Sequence, residues 1–204
     1  GIEGNEDTAV VHGREGGQVR AQRKQGGQVA THDLGHQAAR VARRERQPPR
    51  ERLEGELEEA LRDALAEGAH LLGICVGYQL LFEGSDEFGA TAGLALLRGR
   101  ITQLPETVSL PHIGWNRLET HSPHPLLDGL ERDAYVYFVH SFAPDAAAGR
   151  TGTETVATAL HGRRFAAVSA RGRVCGTQFH PEKSGEAGLR VLRNFLALGS
   201  GVGA

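Results

Sequence analysis

One long, mostly apolar run dominates the hydrophobic pattern of the chain. It covers residues 71–82 and contains Cys75, with Gly73 and Gly77 each two residues away. Residues 71–74 have the length and composition of a buried strand, and residues 78–82 fit the first turns of a helix. The run therefore predicts a sharp strand-to-helix turn with Cys75 at its apex.

Helical and strand-like patterns alternate along the rest of the chain. Apolar residues recur at helical spacing from Leu53, and Gly68 ends that helix. Ser184 caps a last amphipathic helix, whose apolar side includes Leu189, Leu192, Phe195 and Leu196. Strands are predicted at residues 94–97, 100–104, 113–118, 135–142, 155–160, 165–170 and 174–179. This alternation predicts one α/β domain over residues 53–204.

Residues 1–52 differ in composition from the rest of the chain. They contain no Phe, Tyr or Trp and are rich in Arg, Gln and Gly. Such a segment buries too little apolar surface to fold alone, so we predict no strand in it. Lys24 and Lys183 are the only lysines of the sequence, which indicates a GC-rich gene. Two hypotheses stay open: a frame-shifted or mis-assembled reading, or a genuine disordered extension.

Charge and cysteine usage exclude several classes of function. The 204-residue chain has a net charge of −2, which gives no electrostatic reason to bind nucleic acid or an anionic membrane. No signal peptide and no apolar run of the ~20 residues that span a bilayer are visible. Two cysteines do not form a disulfide framework, and a reactive thiol suits a reducing cytoplasm. His121 and His124 lie in a Ser/Pro loop that predicts a turn, not a metal site.

Cys75, His180 and Glu182 are the candidate catalytic residues. A nucleophile bracketed by glycines at a strand-to-helix turn forms an exposed elbow, and a helix N-terminus beside the sulfur favours the thiolate. The alternative is a buried structural cysteine. Pro181 favours an extended His180, so the side chains of His180 and Glu182 point to the same side. A carboxylate that orients an imidazole can activate a thiol, which favours the catalytic interpretation.

Several segments together resemble a known family. The stretches GICVGYQ around Cys75 and GTQFHPEKS around His180 are similar to those of the class I (triad) glutamine amidotransferases. The segments PHIGWN (111–116) and YFVHSF (137–142) resemble the glutaminase subunit of imidazole glycerol phosphate synthase. The resemblance extends from about Leu53 to the C-terminus. It implies a flavodoxin-like doubly wound sheet whose N-terminal strands are missing or garbled in residues 1–52.

The resemblance also implies a reaction and its residues. Cys75 would attack the side-chain amide of glutamine, with His180 and Glu182 completing the triad, and water would release glutamate from the thioester. The residues that would bind the substrate are Val76, Gln79, Ser141 and Phe142. The family's Pro-Gly-x-Gly loop, which supplies half of the oxyanion hole, has no match; residues 47–50 are nearest by position. No cofactor and no metal are implied.

The implied partner is the cyclase subunit of the synthase, a (β/α)8 barrel that receives ammonia in a heterodimer. Pro111, Trp115, Asn116 and Lys183 would lie at that interface; Trp115 could equally be a core anchor. Two alternatives stay open. The chain could supply ammonia to another synthase, or it could be a non-catalytic module that docks on the barrel without turning over glutamine.

Overall fold

The computed structural model describes residues 8–14, 18–20, 49–146 and 154–199. The helices within these residues are α1 (Pro49–Ala66), α2 (Val76–Leu80) and α3 (Gly185–Gly199), with 3-10 turns at Pro125–Leu127 and Pro181–Lys183. The strands are β1 (Thr8–Arg14), β2 (Gln18–Arg20), β3 (His70–Ile74), β4 (Gly84–Ser85), β5 (Thr91–Ala92), β6 (Arg100–Gln103), β7 (His112–Arg117), β8 (Glu119–Thr120), β9 (Tyr135–His140), β10 (Phe142–Pro144), β11 (Glu154–His161), β12 (Arg163–Arg171) and β13 (Val174–Thr177).

A seven-stranded mixed sheet forms the centre of the fold, in the order β2-β1-β3-β13-β12-β11-β8. Strand β3 is parallel to both of its neighbours, β1 and β13, whereas β12, β11 and β8 continue the sheet with antiparallel pairing. Ile74 pairs with Thr177, so β3 and β13 end at the same edge. Because parallel strands bring their carboxyl ends together, the residues that follow β3 and β13 become neighbours.

The expectation of no strand in residues 1–52 is wrong for two short segments. Residues 8–14 form β1, whose residues 8–12 pair with the whole of β3, from Thr8–His70 to His12–Ile74, and residues 18–20 form β2. Without β1, the N–H and C=O groups on one edge of β3 would have no strand partner. A short valine-containing segment can supply that partner. The other residues of the 1–48 segment lie outside the described part of the chain.

The predicted strand at residues 94–97 is also wrong. The backbone here instead closes onto the end of α2, because Leu94 N–H donates to Leu80 C=O and Leu97 N–H to Leu81 C=O. Ala95 has a φ of 52°, which no regular strand accommodates. Leu97 is nonetheless fully buried. The apolar pattern therefore predicted correctly that this segment is buried, but the segment does not pair as a strand.

Two apolar clusters cover the two faces of the central sheet. Alternation along β3 sends Leu72 and Ile74 into one cluster and Leu71 into the other. On the Leu71 side, α2 lies very close to the sheet because Gly73 has no side chain; a Cβ there would be 2.7 Å from the Cα of Tyr78. Gly176 similarly leaves room for the Tyr78 ring. Glycines in two neighbouring strands thus fix where the residue after β3 is placed.

Helix α3 covers the other face with a stripe that matches the predicted one only in part. Gly188, Val191 and Phe195 are buried, at the i, i+3, i+7 spacing of one helix face. Of the residues predicted on the apolar side, Phe195 is buried and Leu192 packs against the core cluster, but Leu189 and Leu196 are 43% and 57% exposed. The glycine lets the helix approach the chain that follows β13, and this rotates Leu189 and Leu196 towards solvent.

Candidate active site

Cys75 occupies the elbow that the sequence predicted. It lies between β3 and α2 with φ 51° and ψ −109°, a region that non-glycine residues rarely adopt. Its N–H donates to the carbonyl of Thr177 at 2.8 Å, which ties the elbow to the end of β13. A strained backbone that neighbouring strands hold in place is typical of a nucleophile presented at the edge of a sheet.

The Cys75 sulfur lies among polar groups of three different elements. It is 3.8 Å from the carbonyl oxygen of Val139 on β9, to which the thiol can donate, and 3.8 Å from Nε2 of Gln178, which donates to the sulfur. The amide of Val76 also hydrogen-bonds to the sulfur and lowers its pKa. The thiol is 6% exposed. The sulfur is therefore surrounded by hydrogen-bond donors and acceptors that could also bind a substrate.

The predicted thiolate is wrong for the free chain. Burial raises the pKa of the Cys75 thiol to about 11, and the negative charges of Glu182 and Glu87 raise it further. The hydrogen bond from Val76 and the charge of Lys183 act in the opposite direction but are outweighed. Because α2 has only five residues, its dipole adds little. The nucleophile is therefore protonated at neutral pH until a base accepts its proton.

His180 and Glu182 form the pair that their spacing predicted. His180 Nδ1 lies 2.7 Å from Glu182 Oε1, and His180 has an extended backbone before Pro181. A carboxylate at Nδ1 holds that nitrogen protonated and leaves Nε2 as the free base. His180 Nε2 is buried and has no hydrogen-bond partner among the described residues. A buried, unsatisfied nitrogen is costly unless it serves a ligand or a reaction.

A closed set of hydrogen bonds holds His180 against β9. The N–H of His180 donates to the carbonyl of Tyr137 at 3.0 Å, and the N–H of Tyr137 donates to Ser184 Oγ at 2.9 Å. Ser184 Oγ in turn donates to the carbonyl of His180 at 2.7 Å. Sequence reasoning treated Ser184 as a helix cap only. Its hydroxyl also fixes the backbone on both sides of the Pro181–Lys183 turn, and hence the orientation of the imidazole.

The predicted substrate-binding residues converge beside Cys75. Gln79 is buried, and its Nε2 donates to the carbonyl of Phe142 at 2.8 Å and to Oε1 of Gln178 at 3.1 Å. Ser141 and Phe142 form the corner between β9 and β10, and the carbonyl of Ser141 accepts from the N–H of Leu104. In this structure the Gln79 side chain thus secures the Phe142 backbone.

Of the two oxyanion donors that acyl transfer needs, the described residues place one at Cys75. It is the amide of Val76, which already contacts the sulfur. Pro49 and Arg50, from the region nearest the expected loop, form the first turn of α1, a position that suits proline. Gln47 and Pro48 lie outside the described residues.

The predicted interface residues lie on β7, directly before it at Pro111, and in the Pro181–Lys183 turn. Pro111, Trp115 and Lys183 are exposed, Trp115 by 55%. Trp115 is therefore not a core anchor. Asn116 lies on the opposite face of β7 from Trp115, and its Nδ2 donates to the carbonyl of Leu160 at 2.9 Å. The structure therefore separates Asn116 from the other three residues.

Sequence reasoning missed two residues at the site. Gln178 is fully buried and contacts the sulfur, and the Glu87 carboxylate is near enough to raise the pKa of Cys75. Gln178 lies just after β13, although the sequence predicted a strand over 174–179, and it approaches Cys75 because β13 pairs with β3. Glu87 lies in a polar loop after β4, and no local pattern distinguishes it.

The described residues contain no group of three or more His, Cys, Asp or Glu side chains arranged to hold a metal ion. None of the helices in this part of the chain has the length and apolar character to cross a membrane.

Comparison with known proteins identifies the family. The model of the class-I glutamine amidotransferases matches residues 47–198. The chain belongs to this family. A solved structure from Thermoplasma acidophilum, described as part of a GMP synthase, superposes with a TM-score of 0.52. It is 20% identical, and the match covers 74% of this chain and 67% of the other, which confirms the α/β fold.

Within the class-I amidotransferases, the chain is similar to proteins named imidazole glycerol phosphate synthase subunit HisH. That of Geobacillus kaustophilus is 46% identical over 70% of this chain and 69% of the relative. That of Symbiobacterium thermophilum is 45% identical over 68% of this chain and 64% of the relative. That of Methanosarcina barkeri is 42% identical over 71% of this chain and 69% of the relative. The resemblance noted in the sequence is thus confirmed.

Proposed function

We propose that this amidotransferase is the glutaminase component of an imidazole glycerol phosphate synthase. The single observation that best supports this reaction is the environment of His180. Glu182 binds its Nδ1, while its Nε2 is buried without a partner among the described residues. The strands leading to His180 and Cys75 are adjacent and parallel. The HisH relatives favour this synthase over others that use ammonia.

The reaction follows from these groups. His180 Nε2 accepts the Cys75 proton, and the thiolate attacks the amide carbon of glutamine while the Val76 N–H receives the developing oxyanion. The C–N bond then breaks as His180 returns the proton to the leaving nitrogen, giving ammonia and a thioester. Water, deprotonated by His180, attacks the thioester and releases glutamate, and the proton returns to the sulfur. The balance is glutamine plus water to glutamate plus ammonia.

Recognition of the substrate is proposed for Gln79, Ser141, Phe142 and Glu87. Free glutamine carries an α-ammonium group, which requires a carboxylate partner once it is bound. Glu87 acts electrostatically on Cys75, is partly buried, and has a pKa that burial raises. The α-ammonium group of bound glutamine would counteract both the effect of Glu87 on the Cys75 pKa and the rise in the pKa of Glu87 itself. Backbone groups at the Ser141–Phe142 corner would bind the α-carboxylate side of the glutamine.

The proposed partner is a (β/α)8 barrel cyclase that takes up the ammonia. Strands β7 and β9 present Ile113, Trp115 and Tyr135 at 61%, 55% and 55% exposure, and Trp115 packs edge-on against Tyr137. Exposed aromatic and branched side chains in one patch are typical of interface cores. Pro111 and Lys183 would lie on the same side as this patch. A reactive thiol suits the cytoplasm, where we propose that the complex acts.

A glutaminase assay with the cyclase present tests the proposal. We expect ammonia release from wild type, a loss of at least about a thousandfold in Cys75→Ala, and a comparable loss in His180→Ala. Glu182→Gln should retain more activity than His180→Ala, because the imidazole remains and only its orientation is weakened. Activity that survives Cys75→Ala would refute the triad.

One observation favours a second function, a non-catalytic docking module. The Val76 amide is the oxyanion donor that the described residues place at the Cys75 sulfur, and acyl transfer needs a second. The same assay distinguishes the two functions, provided that binding to the cyclase is measured in parallel by sedimentation. Binding without ammonia release identifies the docking module. For the interface, Trp115→Ala should weaken binding at least about tenfold, whereas Leu196→Ala, which removes an equally exposed side chain on α3, should not.

A further inference from the structure

A chain of polar side chains approaches the proposed glutamine site from behind β7 and β9. Asn116 Nδ2 lies 3.3 Å from His112 Nε2, His112 Nδ1 lies 3.2 Å from His140 Nε2, and His140 Nδ1 lies 2.9 Å from the carbonyl oxygen of Phe142. His112 and His140 are 5% and 6% exposed. The proposed chemistry uses none of these three side chains.

The direction of each hydrogen bond is determined by the two ends of the chain. A carbonyl oxygen can only accept, so His140 Nδ1 carries a proton and its Nε2, in the neutral ring, accepts one from His112 Nδ1. His112 Nε2 then accepts from the amide of Asn116. The Asn116 amide cannot be reversed, because its Nδ2 also donates to the carbonyl of Leu160 and its Oδ1 accepts from the N–H of Arg117. Every donor therefore points towards Phe142.

The end of this chain is the corner that shapes the site. His140 ends β9 and Phe142 begins β10, so the bond between them spans the single residue Ser141. The Phe142 carbonyl receives a second donor, Gln79 Nε2, at 2.8 Å. At the other end of the corner, the carbonyl of Val139 contacts the Cys75 sulfur. The corner is thus held between two donors and lies directly against the nucleophile.

We propose that His140, supported by His112, is a positioning residue for glutamine binding: the neutral His112–His140 pair holds the Ser141–Phe142 backbone in its binding conformation. This inference rests on the proposed function, since it assigns a role to the scaffold of the same site. It predicts a selective effect. Loss of the His140 donor should weaken glutamine recognition while the Cys75 thiol keeps its own reactivity.

Labelling of the full-length chain at Cys75 separates the two quantities. A glutamine-shaped diazoketone, 6-diazo-5-oxo-norleucine, reports recognition through its half-saturating concentration, and iodoacetamide reports thiol reactivity without recognition. Both are measured by peptide mass spectrometry, with and without the cyclase. In His140→Phe, which keeps an aromatic ring and removes the donor, we expect about a tenfold higher half-saturating concentration, the effect of one lost hydrogen bond. The iodoacetamide rate should stay within about twofold of wild type.

Two further variants keep the inference testable if His140→Phe is unstable. His140→Asn places an amide donor where Nδ1 was and should restore recognition to within about threefold of wild type. His121→Asn is the matched control, because His121 donates or accepts at Thr158 Oγ1, outside the chain of donors. It should behave as wild type with both reagents.

The outcomes distinguish the positioning role of His140 from the proposed glutaminase function on which it rests. If wild type labels with the diazoketone and His140→Phe shows the same half-saturating concentration, the positioning role is refuted while the glutaminase proposal stands. The role is also refuted if the diazoketone and iodoacetamide reactions fall together, because that is the signature of general damage. If wild type itself does not recognise the diazoketone, the glutaminase proposal fails, and the positioning role fails with it.

Discussion

The side-chain amide of Gln178 donates to the Cys75 sulfur at 3.8 Å from a fully buried position. Its Oε1 accepts from Gln79, so the amide cannot turn away from the sulfur without losing that bond. Gln178 therefore offers the sulfur a fixed donor at the moment its proton leaves, which is when a hydrogen bond to it becomes strong.

Gln178→Met should slow formation of the Cys75 thiolate. Methionine has a similar size but no donor, and a hydrogen bond to a charged group contributes about 1.5–3 kcal/mol. We expect the alkylation rate of Cys75 by iodoacetamide at fixed pH to fall at least tenfold and its pH midpoint to move upward. Peptide mass spectrometry would measure both. An unchanged pH midpoint would show that the amide does not act on the sulfur.

Cys175→Ser should leave ammonia release nearly unchanged. Cys175 lies within β13, is 1% exposed, packs in the large apolar cluster, and has a pKa that burial raises to about 12. The buried hydroxyl should lower the free energy of unfolding by about 1–3 kcal/mol. Urea unfolding and the glutaminase assay check the two halves of this prediction. A loss of activity as deep as that of Cys75→Ala would mean that Cys175 takes part in the reaction.

Gly188→Ala should disturb the catalytic pair from outside the site. A Cβ at Gly188 would meet the carbonyl oxygen of Pro181, and the Ser184 Cβ at 2.8 Å. The backbone between His180 and Glu182 would have to move, at a cost of about 1–3 kcal/mol. We expect a lower unfolding midpoint and a lower kcat with nearly unchanged KM. Gly55→Ala in α1, where nothing lies within 4 Å, is the control and should be neutral or slightly stabilising.

Acid should destabilise the protein through His112 and His140. Burial, then neighbouring charges from His161 and Arg163 among others, lowers the pKa of His140 to about 3, and burial with His161 lowers that of His112 to about 4. The unfolded chain, with a histidine pKa near 6.5, binds more protons than the folded one in this window. Stability should therefore be complete above about pH 6.5 and fall as the pH drops towards 4, by up to about 1.4 kcal/mol per pH unit for each histidine.

The slope of unfolding free energy against pH, measured by urea titration from pH 4 to 8, checks this prediction. The His140→Asn variant should show a shallower slope than wild type between pH 4 and 6.5, since one of the two titrating groups is gone. Identical slopes for wild type and His140→Asn would mean that the buried pair is already protonated in the folded protein.

Much of the site could be read from local sequence because its chemistry depends on short-range geometry. The glycines around Cys75 and the single proline between His180 and Glu182 each dictate a backbone shape within a few residues. The strand and helix periods located most elements for the same reason. The predicted strand at residues 94–97 failed because an apolar pattern reports burial alone, and here the buried chain follows the end of α2.

Other features arise only from long-range pairing. His112 and His140 meet because β7 and β9 pair in a register that places them opposite each other, and no local pattern specifies that register. The pKa of the Cys75 thiol depends on burial by several elements. The sequence showed only the helix N-terminus beside the sulfur and not this burial. Strand β1 escaped prediction because its few valines form a strand only beside β3. Whether residues 1–52 derive from a shifted reading frame remains a prediction, tested by translating all frames of the resequenced gene.

The position of β3 between β1 and β13 has a consequence for synthesis of the protein. One neighbour of β3 leaves the ribosome before it, and the other follows only after β4 to β12 have been made. The elbow is tied to Thr177, and the imidazole follows three residues later. A growing chain therefore carries its cysteine through most of the sheet's synthesis without the base that activates it. Glutamine hydrolysis can begin only once β13 has emerged and the sheet has closed around β3.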